Sequence, residues 1–350
     1  MSFWSRLFGE ESSVVVPPPT PGQPAVVTAI RHKLLITFYA HELDEAEGSF
    51  LTAITQGFRN QRQRELVLTL RVSELADAAA IMKELSALFV SIYRLARARK
   101  IVHAGGFTQF KARGLFGRGP SGLLYGDARP IRGLPVPEDA LAIICVDDAE
   151  VRTAMDYGVY RVLARIGERE RCFPFPIWNA LDRPSVASER DQESALGKVP
   201  RIRMPGVSFV VEGNRLRVEL SSRARGVGRG ISALVPGAPF VLLLEPAGSA
   251  NALFVWHPGQ TEPAGVIAPG TNGARKTGSC LMIVPGGQAD QARPFEDGYT
   301  LLFSTASWQE VSFALRDQRA LTLALADGTV LEFAWAGAPS VPTKRVLRSH

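Results

Sequence analysis

The sequence predicts a chain of mixed helix and strand, folded in two parts. Three observations carry this. Glu65–Val72 has the period of a strand and is followed at once by a long helix-period segment, Ala76–Arg99. Asp182–Pro200 is polar and serine-rich and reads as a connector. Beyond it, short apolar runs bounded by turn residues succeed one another, as strands do.

Taken in order, residues 1–12 read as a small amphipathic helix, with Phe3, Trp4, Leu7 and Phe8 sharing one face. So short a helix is marginal alone in water. It is either an anchor that docks on a membrane surface or a partner, or a leader packed on its own protein. Val14–Pro24 holds five prolines and predicts an extended, stiff tether. Folded sequence starts near Val26. His32–Tyr39 is an apolar run of strand length. In Glu65–Val72, Leu66, Leu68 and Leu70 face one way and Val67, Thr69 and Arg71 the other, a half-buried strand. In the helix, Ile81, Leu85, Leu88, Phe89, Ile92 and Leu95 recur at helical spacing. Its basic residues gather at the C-terminal end, where the helix dipole favours them. Gly105–Gly122 is glycine-rich and basic, a loop or hairpin. Leu141–Val146 predicts a buried strand, then Asp148 caps a helix running to about Ile166, with Glu150 in its first turn. Pro174 and Pro176 hold Phe173–Trp178 extended.

Further strands are expected at Phe209–Val211, Leu216–Leu220, Phe240–Leu244, Ala252–Trp256, Ser279–Val284, Tyr299–Phe303, Leu321–Leu325 and Val330–Trp335. Ala326-Asp327-Gly328-Thr329 joins the last two as a hairpin. Trp308–Arg316 predicts a short helix, and residues 337–350 a basic tail. The domain reading is a tip and tether over 1–25, an N-terminal lobe over 26–185, a connector over 186–200 and a strand-rich lobe over 201–336.

Composition bounds the function. The 350 residues are 46% hydrophobic and 21% charged, ordinary for a globular protein, and no apolar run approaches the length of a bilayer span. No secretory signal is read at the N-terminus. The three cysteines, Cys145, Cys172 and Cys280, are far apart and fit a reducing cytoplasm better than a disulfide framework. The net charge of +6 is modest, and its basic clusters are solvated surface or a footprint for an anionic partner. No nucleic-acid partner is expected.

Motifs for chemistry fail on physical grounds. His41-Glu42 begins like a zinc-protease helix, but Glu45 stands where the second histidine belongs. No histidine or cysteine spacing suits zinc. Gly270–Thr277 has two residues between Gly273 and Lys276 and no helix after it, so it cannot cradle phosphate on a helix start. Arg225–Gly230 lacks the third glycine of a dinucleotide site, and Ser121 lies in GPSG rather than a nucleophile elbow. No cofactor is called for, and the chain is not expected to be an enzyme. Asp147 and Asp148 end a buried strand, where helix capping explains them better than magnesium binding. Cys172 would be a nucleophile only with a histidine beside it. An enzyme built on Asp147/Asp148 or Cys172 is the rival reading. Phe173, Phe175 and Trp178 alternate with prolines, either as core packing or as the wall of a peptide groove. Arg94, Arg97, Arg113 and Arg118 are candidate partners for an acidic client.

The order of these segments resembles a known superfamily. Leu66–Arg71, the long helix, glycine-rich Gly105–Gly122, Leu134-Pro135-Val136-Pro137 and Leu141–Val146 with its acidic cap look like the suppressor-of-fused domain. The closer resemblance is to the C-terminal domain of the Smad anchor for receptor activation and endofin. It is carried by Gly122–Tyr125, Arg165–Gly167, Pro174–Pro176, Arg275–Gly278, Asp297-Gly298 and Trp308–Leu315, and it spans about residues 30–335. The zinc-binding FYVE module of those anchors is absent from this sequence. The resemblance implies an α+β fold of mixed, mostly antiparallel sheets with flanking helices in two lobes. It also implies a non-catalytic scaffold that grips an extended client peptide. In bacteria, similar domains are proposed as immunity proteins. The expected function is therefore a cytoplasmic protein-binding domain, immunity-type in a bacterial setting. A second alternative is a membrane-associated or polar adaptor anchored by residues 1–12.

Overall fold

The computed structural model describes residues 17–72, 78–110, 121–234 and 236–336. The chain is α+β and divides into two compact units, Met1–Arg152 with Pro176–Ser185, and Thr153–Phe175 with Val186–His350. Residues 1–16, 73–77, 111–120, 235 and 337–350 lie outside the described residues, and with them the expected tip and tail.

The first unit is built on a seven-stranded sheet. Its strands are β1 (Ala25–Ile30), β2 (Leu34–Leu43), β3 (Ala46–Gln56), β4 (Leu66–Val72), β5 (Phe107–Gln109), β6 (Gly122–Asp127) and β7 (Leu141–Val146), in the order β1-β2-β3-β4-β7-β6-β5. All neighbours are antiparallel except β4 and β7. Helix α1 (Ala78–Arg97) covers one face, burying Met82, Leu85, Leu88, Phe89, Ile92, Tyr93 and Ala96 against Ile36, Phe38, Leu68, Leu70 and Ile143. Leu95, expected in this core, is exposed. β4 is buried on both faces apart from Arg71, because its second face is covered as well. There Thr52 and Thr69 meet Oγ1 to Oγ1 at 2.8 Å, and His41 Nε2 contacts Thr52 Oγ1 at 2.7 Å.

The tether expectation is corrected at Thr20–Gln23, where the chain reverses in a tight turn closed by two backbone hydrogen bonds. Pro21 presets the turn, and Gly22 supplies its positive φ of 80°. The single helix expected up to Ile166 is two helices, α2 (Asp148–Tyr157) and α3 (Val159–Arg169). Gly158 breaks it at φ 98°, a conformation that other residues rarely adopt. The cap is also one residue earlier than expected. Asp147 Oδ1 accepts from the Glu150 N–H at 2.8 Å while Glu150 Oε2 accepts from the Asp147 N–H at 3.2 Å, a reciprocal capping box. Phe173–Trp178 bends rather than running fully extended, with a cis bond at Phe173-Pro174.

Among the described residues the second unit holds two more sheets, the end of α2, α3 and two further helices. Its strands are β8 (Arg201–Arg203), β9 (Val207–Glu212), β10 (Arg215–Leu220), β11 (Phe240–Leu243), β12 (Ala252–Val255), β13 (Ala264–Ile267), β14 (Arg275–Thr277), β15 (Cys280–Pro285), β16 (Gln291–Phe295), β17 (Gly298–Phe303), β18 (Leu321–Ala324) and β19 (Val330–Trp335). One sheet runs β13-β12-β14-β9-β10-β19-β18, the other β16-β17-β15-β11-β8. Period-2 alternation sets what each buries. Leu216, Val218 and Leu220 of β10 lie in register with Leu331, Phe333 and Trp335 of β19 and face the core. Ile202, Leu242, Leu281 and Tyr299 align across the other sheet and meet the same core. Helices α4 (Val227–Ser232) and α5 (Thr305–Arg316) add Val227, Val311 and Leu315 to it. The residual cavity there is about 10 Å³, so the core is closed rather than hollow. The expected hairpin at 326–329 joins β18 to β19. The polar 182–200 stretch is ordered, with short 3₁₀ turns at Glu189–Glu193 and Ala195–Lys198 and buried Asp191, Ser194 and Leu196.

Candidate partner-binding surface

Six strands end the three sheets among the described residues, and they differ in how they are protected. An edge strand offers unpaired N–H and C=O groups to any extended chain, so proteins blunt edges by shortness, charge, proline or bulges. β5 and β8 have three residues each, and β8 carries Arg201 and Arg203. β16 holds Arg293 and Pro294. β13 and β18 have four residues each. β1 is the longest edge at six residues, Ala-Val-Val-Thr-Ala-Ile, with neither charge nor proline inside it. Among the described residues it pairs only with β2, from Ala25 opposite Phe38 to Ile30 opposite Leu34, and the blunting device seen there is a bulge at Ala29. Val27, Ala29 and Ile30 pack on the core, whereas Val26 is 50% exposed. Every second residue of β1 turns its backbone groups away from β2.

The candidates read from sequence fall elsewhere. Phe175 and Trp178 are buried, and Trp178 packs edge-on to Phe50 with centroids 6.2 Å apart. Phe173 is half-buried against Ala164, Leu253, Val255 and Val266. Phe173 and Phe175 belong to the second unit and Trp178 to the first. Arg94 and Arg97 are exposed in the last turns of α1. Arg113, Arg118, Phe3, Trp4, Leu7 and Phe8 lie outside the described residues.

The candidate catalytic groups serve the fold. Asp147 caps α2, and Glu150 holds Arg183 through two bonds of 2.5 and 2.7 Å. Cys172 is buried, its thiol 3.8 Å from the Phe175 carbonyl. Burial pushes the Cys145 thiol up to about 12 despite the nearby Arg183 charge. Burial also raises Cys280 well above its ordinary value, with Asp297 adding to the effect. Among the described residues no group of three His, Cys, Asp or Glu is placed to hold a metal ion.

Two polar devices escaped sequence reading. β4 and β7 pair only at Leu66 opposite Leu141 and Val67 opposite Ala142, then part. Asn179 fills the gap. Its backbone N–H donates to Thr69 O at 2.8 Å, and its C=O accepts from the Arg71 N–H at 2.9 Å. Its side chain accepts from the Cys145 N–H at 2.6 Å and donates to Thr69 O and Ile143 O at 2.9 and 3.0 Å. In the second unit α3 buries two arginines. Arg161, with no exposed surface, pairs with Glu296 and with Asp297, the latter at 2.6 Å, and lies over the rings of Tyr157 and Trp256. Arg165 grips Asp191 through bonds of 2.8 and 3.1 Å and donates to Trp256 O. Burial favours the neutral form of Asp191, but the hydrogen bonds and charge of Arg165 and the Ser188 N–H outweigh it and hold its carboxyl low. A lone asparagine and two arginines inside an amphipathic helix carry no periodic signal, which is why they were missed.

No protein-family model matches the chain, and no curated protein matches it in sequence. The structure is similar to the crystal structure of Drosophila Suppressor of Fused, with a TM-score of 0.38 and 10% identity, over 85% of this chain and 87% of that one. It is also similar to a chain of the Sufu-Fu complex crystal structure, with a TM-score of 0.35 and 16% identity, over 43% of this chain and 77% of that one. The first of these is a member of the family that the ordered motifs of the sequence resemble.

Proposed function

We propose that this protein is a non-catalytic binding domain that captures an extended segment of a client protein by strand addition to β1. One observation carries the reading: the longest sheet edge among the described residues is the one without charge or proline, and its outward Val26 is half exposed. Main-chain hydrogen bonds to the open side of β1 would supply affinity, and alternate side chains resting beside Val26 and Thr28 would supply selectivity. That none of the three cysteines is in a disulfide favours a cytoplasmic setting. An immunity-type role in bacteria is the form this takes if the client is a toxin.

The test is quantitative capture from the native host with the wild type, Val26→Lys and Thr28→Pro. The proposal expects one stoichiometric protein partner, lost in both variants while their circular dichroism stays that of the wild type. A partner held equally by all three proteins, or none at all, refutes it.

A further inference from the structure

The open edge is electrically polar, and this points to the chemistry of its client. The argument rests on the strand-addition reading above. At one end of β1 and β2 the connecting turn carries Arg31 and Lys33, both exposed. The turn between β3 and β4 lies at this same end of the sheet and carries exposed Arg62. Its other arginines are engaged, Arg59 with Asp139 and Arg64 with Asp127. The opposite end is the β2–β3 hairpin, where Glu42, Asp44, Glu45 and Glu47 are all exposed around an open concavity of about 500 Å³. Arg132 meets Asp44 at 3.2 Å and Arg129 meets Glu45 at 3.5 Å, and Arg71 lies over the Phe50 ring. Glu42 and Glu47 form no ion pair among the described residues. β1 stops opposite Phe38, and among the described residues no strand pairs with Tyr39–Leu43 of β2 on that side.

A second copy of the chain fits this edge poorly. An antiparallel pair of β1 strands centred on Val27–Thr28, level with Leu35–Ile36 of β2, would put Lys33 about 8 Å from the two-fold axis at ~3.3 Å per residue. The partner's Asp44 would lie about 28 Å from that axis, along Ala25 and then Phe38 to Asp44. The charges would miss by about 20 Å, more than twice the ~8 Å screening length at physiological salt.

We infer that the client of the β1 edge is a charge-polarised strand: acidic residues, then an apolar alternating run, then basic residues. Lys33 and Asp44 are separated along β2 by about 36 Å, so the client's acidic and basic ends lie ~11 residues apart. Antiparallel addition, the stronger mode, sets the acidic end first in sequence. Like charges facing each other penalise the reversed order, so the polarity selects both partner and direction.

The test uses the full chain and two fluorescein-labelled synthetic peptides of identical composition. One has two glutamates ahead of a Val-Thr repeat and two arginines at the matching distance; the other has the two charge pairs exchanged. Fluorescence anisotropy at ~20 mM salt is expected to show the acid-first peptide binding about ten-fold more tightly, and the preference is expected to vanish near ~0.5 M salt. Arg31→Glu with Lys33→Glu is expected to remove the preference, and Val26→Lys to weaken both peptides. Equal binding of the two peptides at low salt, still sensitive to Val26→Lys, overturns the charge inference and leaves strand addition standing. Binding of neither peptide, together with client capture that ignores Val26→Lys, overturns both. A dimer that dissociates in Val26→Lys and excludes the peptides would assign the edge to a second copy instead.

Discussion

Replacing Asn179 by alanine should be among the most damaging single changes in the first unit, although the side chain removed is small. The structure sets the size of the effect. The Cys145 N–H donates to the Asn179 side chain and the Ile143 carbonyl accepts from it, and both are buried in β7. Thr69 O keeps the bond from the Asn179 backbone N–H. Two buried backbone groups are therefore orphaned, at roughly 1–3 kcal/mol each. With the small cavity added, the loss is about 3–5 kcal/mol, and 3 kcal/mol is already roughly a 150-fold shift in the folding equilibrium. Asn179→Asp keeps the shape but turns two donated bonds into an oxygen facing two carbonyls. The carboxylate is disfavoured there, so its folded-state pKa rises above the unfolded value. That variant should approach wild-type stability below about pH 4 and lose it as pH rises through the raised value. Urea unfolding followed by circular dichroism, with midpoint and slope fitted together, measures both effects. A cost under about 0.5 kcal/mol for Asn179→Ala, at unchanged slope, would refute the claim that this residue holds β4 to β7.

Other expectations follow the same physics. Arg161→Met leaves Glu296 and Asp297 buried without their cation and should cost about 3–5 kcal/mol in urea unfolding, whereas a loss under ~1 kcal/mol would mean the pair is solvated. Asp191 is held below its ordinary value, so its contribution to stability is complete above the unfolded pKa and is lost as pH falls through the folded one. Arg165→Met should therefore flatten the acid limb of the stability–pH curve below about pH 4, and an unchanged limb would remove Asp191 as its source. The Cys145 thiol should resist iodoacetamide at pH 8 until the protein is denatured, and rapid labelling of the native protein at that residue would contradict its burial.

Much of the architecture can be read from residue order, for physical reasons that also explain the failures. β4, β7, β10 and β19 are long apolar or alternating runs, and α1 has an unbroken helical stripe, so packing agrees with local pattern. β3 went unread because its first half, Ala46–Ser49, is the polar arm of a hairpin. β8, β14 and β16 carry arginine, lysine or proline and hold only as short members of larger sheets. The break at Gly158 hid because apolar residues continue on both sides of it. The surface was harder still. Aromatic residues drew attention to Phe175 and Trp178, which are buried, while the edge position of β1 among the described residues is a property that exists only in three dimensions.

If β1 takes a client as proposed, its thinly guarded margin has a cost for the cell. A strand free to accept a client is equally free to accept any nascent chain or partly folded protein of suitable pattern, and aggregation begins at such templates. Synthesis of this protein in excess of its client would leave those templates exposed. Its abundance is then a matter of matched dosage, and co-expression of the client should raise soluble yield where stronger promoters lower it.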